Sequence, residues 1–260
     1  MEQLKDIAIL MACWKSPELL KVSVPSILKS LTTNSELIVI LNEVDNESVK
    51  YLDSVGVKHI DKDSNFGPSA VDFTIPYIKE EEFKYVANVN SDMLFSNGWD
   101  YEMIKLLEEN KPCTVSCCLV EPIINGHSVY ENLGNFLSDG NHERFNSYVS
   151  SGKYDTSISV SYNHPIVCTS EDFIGVGGYS DNMKQVWVDL KGRGLDDDFV
   201  YRLFKKNGDK MKYLKSNKAF VYHGISLNSK KLKVRKSGES AFQTIHGISI
   251  HDFRKMINYL

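Results

Sequence analysis

Asp6-Ile-Ala-Ile-Leu-Met-Ala-Cys13 is a near-continuous apolar run, and Glu36-Leu-Ile-Val-Ile-Leu41 and Tyr85-Val-Ala-Asn-Val89 repeat its character downstream. Runs without polar alternation are what a strand covered on both faces requires, as in a parallel sheet sandwiched by helices. The intervening chain supplies those helices. Ser16-Pro17-Glu18 opens one that reaches Leu31, with Leu19, Leu20, Val24, Ile27, Leu28 and Leu31 at helical spacing. A short helix to Ser54, a strand at Val57-Lys-His-Ile60 and a helix over Val71–Lys79 continue the alternation. Strands alternating with helices predict an α/β fold with right-handed crossovers.

The second half is less regular. Thr114–Val120 reads as a strand, Leu195–Lys206 as a helix, Lys212–Tyr222 as one or two strands, and Ile250–Tyr259 as a closing helix. Asn125–Tyr162, rich in Gly, Ser, Asn and Tyr, reads as loops and short strands over a site. No Pro- or Gly-rich linker divides the halves, which argues for one continuous domain with two lobes.

Composition narrows the function classes. The chain has 260 residues, 42% hydrophobic and 25% charged, values of an ordinary globular protein rather than a disordered or fibrous one. A net charge of −4 gives no bulk drive toward nucleic acid. The longest apolar run, Ile7–Trp14, falls far short of the ~20 residues of a membrane-spanning helix. The polar start Met1–Asp6 is unlike a signal peptide, so a cytoplasmic protein, peripheral to a membrane at most, is expected. Five cysteines without framework or knuckle spacing read as buried free thiols.

Chemistry is expected where parallel strands run out, because ligands of open α/β sheets bind at their carboxyl ends. Asn90-Ser-Asp92 stands there after the fourth strand and offers hard oxygen ligands suited to Mg or Mn. Gly194-Leu-Asp-Asp-Asp198 opens a helix with three adjacent carboxylates. Capping alone rarely needs three, and their mutual repulsion would raise a pKa as a general base requires. Capping by Asp196, with Asp197 and Asp198 in the first turn, is the plainer alternative. His223, ending Ala219-Phe-Val-Tyr-His223, is either a satisfied core histidine or a further metal ligand.

In this order the segments resemble the inverting family-2 glycosyltransferases of the GT-A fold. Asn65-Phe-Gly67 fits that family's Asn-x-Gly turn, Asn90-Ser-Asp92 its Asp-x-Asp position, and Phe173-Ile-Gly-Val-Gly-Gly-Tyr179 the stretch before its base helix. Leu195-Asp-Asp-Asp198 with Arg202 fits the acidic motif, and Val221-Tyr-His223 the last. The resemblance spans about residues 6–225.

It implies a Rossmann-like mixed sheet with helices on both faces. Residues 1–225 would form the glycosyltransferase domain, with a nucleotide-sugar-binding lobe over about 1–110 and an acceptor and catalytic lobe over about 111–225. Residues 226–260 would be a basic loop and a C-terminal helix packing on it. Asp92, Asn90 and His223 would hold Mn or Mg. Asp196 would be the general base, with Asp198 as the second acid. The donor, a UDP-, GDP- or dTDP-linked sugar, would lie along Ala12, Cys13, Asn42, Asp45, Asn65, Gly67, Asn90 and Ser91. The acceptor would be a saccharide, lipid-linked or other hydroxyl; nucleic acid is a remoter choice.

Two positions depart from the family pattern. Asn90 replaces a carboxylate, and Leu195 replaces the Glu before the base, which opens the base role to Asp197. The segment Ser229-Lys-Lys-Leu-Lys-Val-Arg-Lys-Ser-Gly238 carries five positive charges. It reads as a solvated loop, a flap in which Lys230 and Lys231 clamp the donor diphosphate, or a docking site for an anionic acceptor. A nucleotidyltransferase and a glycan-binding domain without turnover are the competing functions.

Overall fold

The computed structural model describes residues 5–122, 128–153, 160–179, 195–224 and 237–258. The first four strands, β1 (Ile7–Trp14), β2 (Glu36–Asn42), β3 (Lys58–Lys62) and β4 (Tyr85–Asn90), pair in parallel in the spatial order β3-β2-β1-β4. Helices α1 (Pro17–Ser30) and α2 (Asn46–Val55), then a 3₁₀ segment (Gly67–Thr74) running into α3 (Ile75–Glu80), make the crossovers.

Beyond β4 the sheet turns mixed. β5 (Met93–Phe95) follows at once, and α4 (Trp99–Asn110) leads to β6 (Cys113–Glu121). After the short β7 (Val129–Tyr130) and α5 (Asn141–Ser151) come β8 (Ile166–Thr169) and α6 (Ser170–Gly175). α7 (Leu195–Asn207), β9 (Lys212–His223), α8 (Ser237–His246) and α9 (Ile250–Met256) complete the chain. β8 joins β4 and β6 antiparallel to both, β9 lies parallel to β6, and β5 closes the edge antiparallel to β9. The result is one nine-stranded sheet with β7 paired to β6.

Strand alternation sorts the core into two faces. Ile7, Ile9 and Met11 face one side with Val24 and Ile27 of α1 and Trp99, Met103 and Leu107 of α4. Ala8 and Leu10 face the other, with Phe199, Val200 and Leu203 of α7. Phe242 of α8 and Phe253 of α9 are wholly buried in that second face. Each such burial contributes roughly 1.5–3 kcal/mol, so the C-terminal helices are anchored to the sheet domain.

Asn125–Tyr162 departs from its reading as loops and short strands, because it contains the eleven-residue helix α5. Phe145, Tyr148 and Val149 form its apolar stripe against Phe220 and Tyr222 of β9. Ser and Asn are poor helix formers, and burial of the stripe overrides their preference. The 71–79 helix is likewise a 3₁₀ segment followed by a shorter α-helix. All five cysteines are buried free thiols. Among the described residues no helix is long and apolar enough to cross a membrane.

Candidate active site

Three sequence-distant segments meet at the carboxyl end of the sheet. Asp92 lies between β4 and β5, and the antiparallel register of β5 and β9 sets Met93 opposite His223. The Gly224 amide donates to the Asp92 carbonyl at 2.8 Å and locks that corner. His223 Nε2 thereby stands 3.4 Å from Asp92 Oδ1. β6 runs parallel to β9 with Val120 opposite Tyr222, which brings Glu121 beside the ring. Glu121 Oε1 is 2.7 Å from His223 Nδ1. Burial lowers the imidazole pKa, but the two carboxylates outweigh it and hold it up at about 10. Asp92 Oδ2 is buried and has no hydrogen-bond partner among the described residues.

The second cluster is the first turn of α7. The helix begins at Leu195, so Asp196 is inside it rather than at its cap. The three aspartates have sharply different surroundings: their side chains are 43%, 9% and 1% exposed from Asp196 to Asp198. Asp198 accepts from Arg202 Nε at 2.9 Å and Nη2 at 2.8 Å on one oxygen, while His246 Nε2 is 2.7 Å from the other. Arg202 also donates to the carbonyls of Val176 and Gly178. Gly178 has φ +63°, and a Cβ there would fall 2.1 Å from Asp72 Oδ1. That close approach lets the Tyr179 amide donate to Asp72 at 2.6 Å.

Asp197 accepts the hydroxyl of Tyr162 and, from Arg254, Nε at 3.0 Å and Nη2 at 3.2 Å. Burial pushes its pKa above the usual carboxylate value, with Arg254 and Tyr162 opposing. The neighbouring charge of Asp196 is the least of these causes, so burial rather than mutual repulsion sets the shift. Asp196 lines the cleft beside Asp197 and is the more exposed of the two. Its Oδ1 accepts from the Tyr179 hydroxyl at 3.3 Å and lies 3.6 Å from His164 Nε2. Tyr179 is buried and stacked on Phe199 at 5.2 Å between ring centroids. Burial and the Asp196 charge keep its phenol protonated.

Side chains from both clusters, though not Asp92 or Asp198, line one cleft of about 290 Å³, at the small end of ligand pockets. Asn90, Glu121 and His223 stand in it together with His164, Asp196 and Arg254. The remaining sequence-derived positions are distributed differently. Asn42, Asn65 and Gly67 form one latch: Asn42 Nδ2 donates to the Gly67 carbonyl at 3.1 Å and its Oδ1 accepts from the Phe66 amide. Asn65 Oδ1 accepts from the Gly67 amide, whose φ of +58° suits glycine. Asp45 caps α2 through Ser48.

Cys13 points into the core, its thiol pushed up to about 12 by burial and touching Ser91, while Ala12 packs partly buried on the opposite face. Leu195 is buried in the core beside α7's other apolar residues. Lys230 and Lys231, with the rest of the basic segment up to residue 236, lie outside the described residues.

Glu121, Tyr162, His164, Tyr179, His246 and Arg254 escaped the sequence reading. Glu121 had a usable signal, a carboxylate ending an apolar strand just as Asp92 follows one. The others had none.

A mixed sheet whose parallel half ends in an oxygen-rich corner facing an acidic helix start defines the GT-A class of fold. Residues 8–159 match the family model for glycosyl transferase family 2, more than half of the chain, and the chain belongs to that family. No curated protein sequence matches it.

Among solved structures, S. aureus TarS 1-349 in complex with UDP-GlcNAc is similar with a TM-score of 0.64 at 10% identity, over 97% of this chain and 70% of that one. Another structure of S. aureus TarS 1-349 gives 0.58 at 12% identity, over 84% and 60%. GalNAc-T7 with UDP, GalNAc and Mn2+ gives 0.59 at 11% identity, over 100% and 54%. This chain therefore spans little more than half of some of these proteins, and at such identities the likeness is one of fold.

Proposed function

We propose that the protein moves a sugar from a nucleotide-sugar donor to an acceptor hydroxyl with inversion, using Asp196 as general base and a divalent cation at Asp92 and His223. The observation that carries this reading is the shared cleft of about 290 Å³: the exposed carboxylate of Asp196 lines it together with His223, whose Nε2 stands 3.4 Å from the buried Asp92. The similar folds crystallised with UDP-GlcNAc, and with UDP, GalNAc and Mn2+, favour the same substrate class and ion.

The donor set fits a hard cation. Asp92 Oδ2 is a buried acceptor that lacks a protein donor among the described residues, and His223 Nε2, beside the same carboxylate, would serve as a ligand once the cation displaced the proton that Asp92 and Glu121 hold on the ring. No group of three or more His, Cys, Asp or Glu side chains suited to a metal occurs among those residues. Two protein ligands leave most positions for water and phosphate oxygens, the usual arrangement for a cation serving a diphosphate. When bound, the ion would offset charge on the departing nucleoside diphosphate. Glu121 holds the His223 ring by its Nδ1 and so directs Nε2 at Asp92.

Asp196 takes the proton from the acceptor hydroxyl as that oxygen bonds to the anomeric carbon and the bond to the diphosphate oxygen breaks. The hydroxyl of Tyr179 holds the carboxylate toward the cleft. UDP-, GDP- and dTDP-linked sugars, each incubated with Mn2+, test the assignment. Release of nucleoside diphosphate supports it, whereas pyrophosphate-linked products or binding without release overturn it.

A further inference from the structure

The acidic motif presents three consecutive carboxylates, yet only one is available for chemistry. The two C-terminal helices account for the difference. α8 brings His246 to Asp198, and α9 brings Arg254 to Asp197. Arg254 grips Asp197 with both Nε and Nη2 and also donates to the Tyr162 hydroxyl at 2.8 Å, forming a closed triangle at the cleft wall. Phe242 and Phe253, wholly buried, anchor the helices that carry these groups.

Resting on the base assignment above, we propose that Arg254 is a positioning residue of the active centre. Its fork, together with Tyr162, ties up Asp197 and leaves Asp196 as the single carboxylate able to accept the acceptor's proton. The physical reason is proximity. An untied Asp197 would be a like charge next to the base in a half-buried site, and either carboxylate could then hold the proton. Asp197 already lines the cleft, so a carboxylate released there would also intrude on the space the reacting hydroxyl needs.

The test uses the full-length chain and the donor that wild type turns over, with nucleoside diphosphate release as the rate. Arg254→Gln should lower kcat about 10- to 100-fold, change the donor KM less than about 2-fold, and replace a single ionisation on the acid limb of kcat against pH by two. Arg254→Lys should recover part of the loss, since it restores the charge without the bidentate fork. Arg254→Gln/Asp197→Asn should be faster than Arg254→Gln alone because the competing carboxylate is gone, and its acid limb should return to a single ionisation, a change in pH profile that relief of a stranded buried charge alone would not produce. A double variant no faster than the single one, or an unaltered kcat and pH profile in Arg254→Gln, overturns the inference. Asp196→Asn distinguishes the two levels: retained rate there overturns the base assignment itself, whereas a dead Asp196→Asn beside an unresponsive Arg254→Gln overturns only the role of Arg254.

Discussion

Asp92 and Asp198 are almost equally buried, at 4% and 1% exposure, and differ in every other respect. Asp198 has both oxygens engaged, by Arg202 and His246. Asp92 keeps one oxygen without a partner among the described residues and meets its imidazole at 3.4 Å, too far for a good hydrogen bond. Asp100 belongs with Asp198: wholly buried, it accepts from the amides and hydroxyls of Thr32 and Thr33. A buried carboxylate that is saturated by its own chain is architecture. One that keeps an oxygen short of donors among the described residues is the place where the proposed function puts a cation.

Four substitutions press on that contrast, and a fifth lies outside it. The largest effect is expected outside the pair, at the exposed carboxylate: Asp196→Asn should cut kcat about 10³-fold with donor affinity nearly unchanged, measured by single-turnover kinetics and donor titration. A donor affinity that falls in parallel would return Asp196 to a binding role. Next comes Asp198→Asn, which strips the charge from a buried pair and should cost about 3 kcal/mol, or about 6–12 °C in thermal midpoint. Full stability in this variant would dissolve the distinction drawn above.

Asp92→Asn should do the reverse. Its stability should change by about 1 kcal/mol or less, while Mn2+ affinity by calorimetry drops at least about 10-fold; Glu121→Gln should lower the same affinity by about 10- to 100-fold through loss of ring orientation. Unchanged Mn2+ binding in both variants would remove the cation from this corner.

The smallest effect is away from the cleft. His142 of α5 lies 2.9 Å from Ser26 Oγ, and burial pushes its pKa below the usual imidazole value, against Glu143 and with Lys29. The unfolded chain therefore takes up this proton first. Stability from His142 is complete above the unfolded value of about 6.5 and declines as pH falls through the window toward the folded one. His142→Gln should flatten that slope by less than about 1 kcal/mol in denaturant titrations at pH 5 and 7.5, and an identical slope in both proteins would discount His142.

The apolar runs made β1, β2 and β4 legible, since a strand buried on both faces can hardly be written otherwise. Asp92, Asp196 and His223 could be singled out in the sequence as candidates because each stands where a strand or helix begins or ends. α5 was hidden by its Ser and Asn content, and β8 by its four-residue length. The roles within Leu195-Asp-Asp-Asp198 were the least readable: three identical side chains in a row carry no local mark of which is free. Their repulsion suggested a raised pKa at the base, but the raised group is Asp197, the one bound by Arg254 and Tyr162.

Local pattern, then, was enough to specify the α/β architecture and the two kinds of acidic corner, because burial periodicity and element ends are written over a few neighbouring residues. Which carboxylate is saturated and which is open depended on Glu121, Tyr162, His246 and Arg254. These groups are brought in from 35 to 102 positions away by strand register and by helices docked through Phe242 and Phe253. Electrostatic surroundings are a property of distance in space, and at those separations the linear chain does not encode them in any readable period.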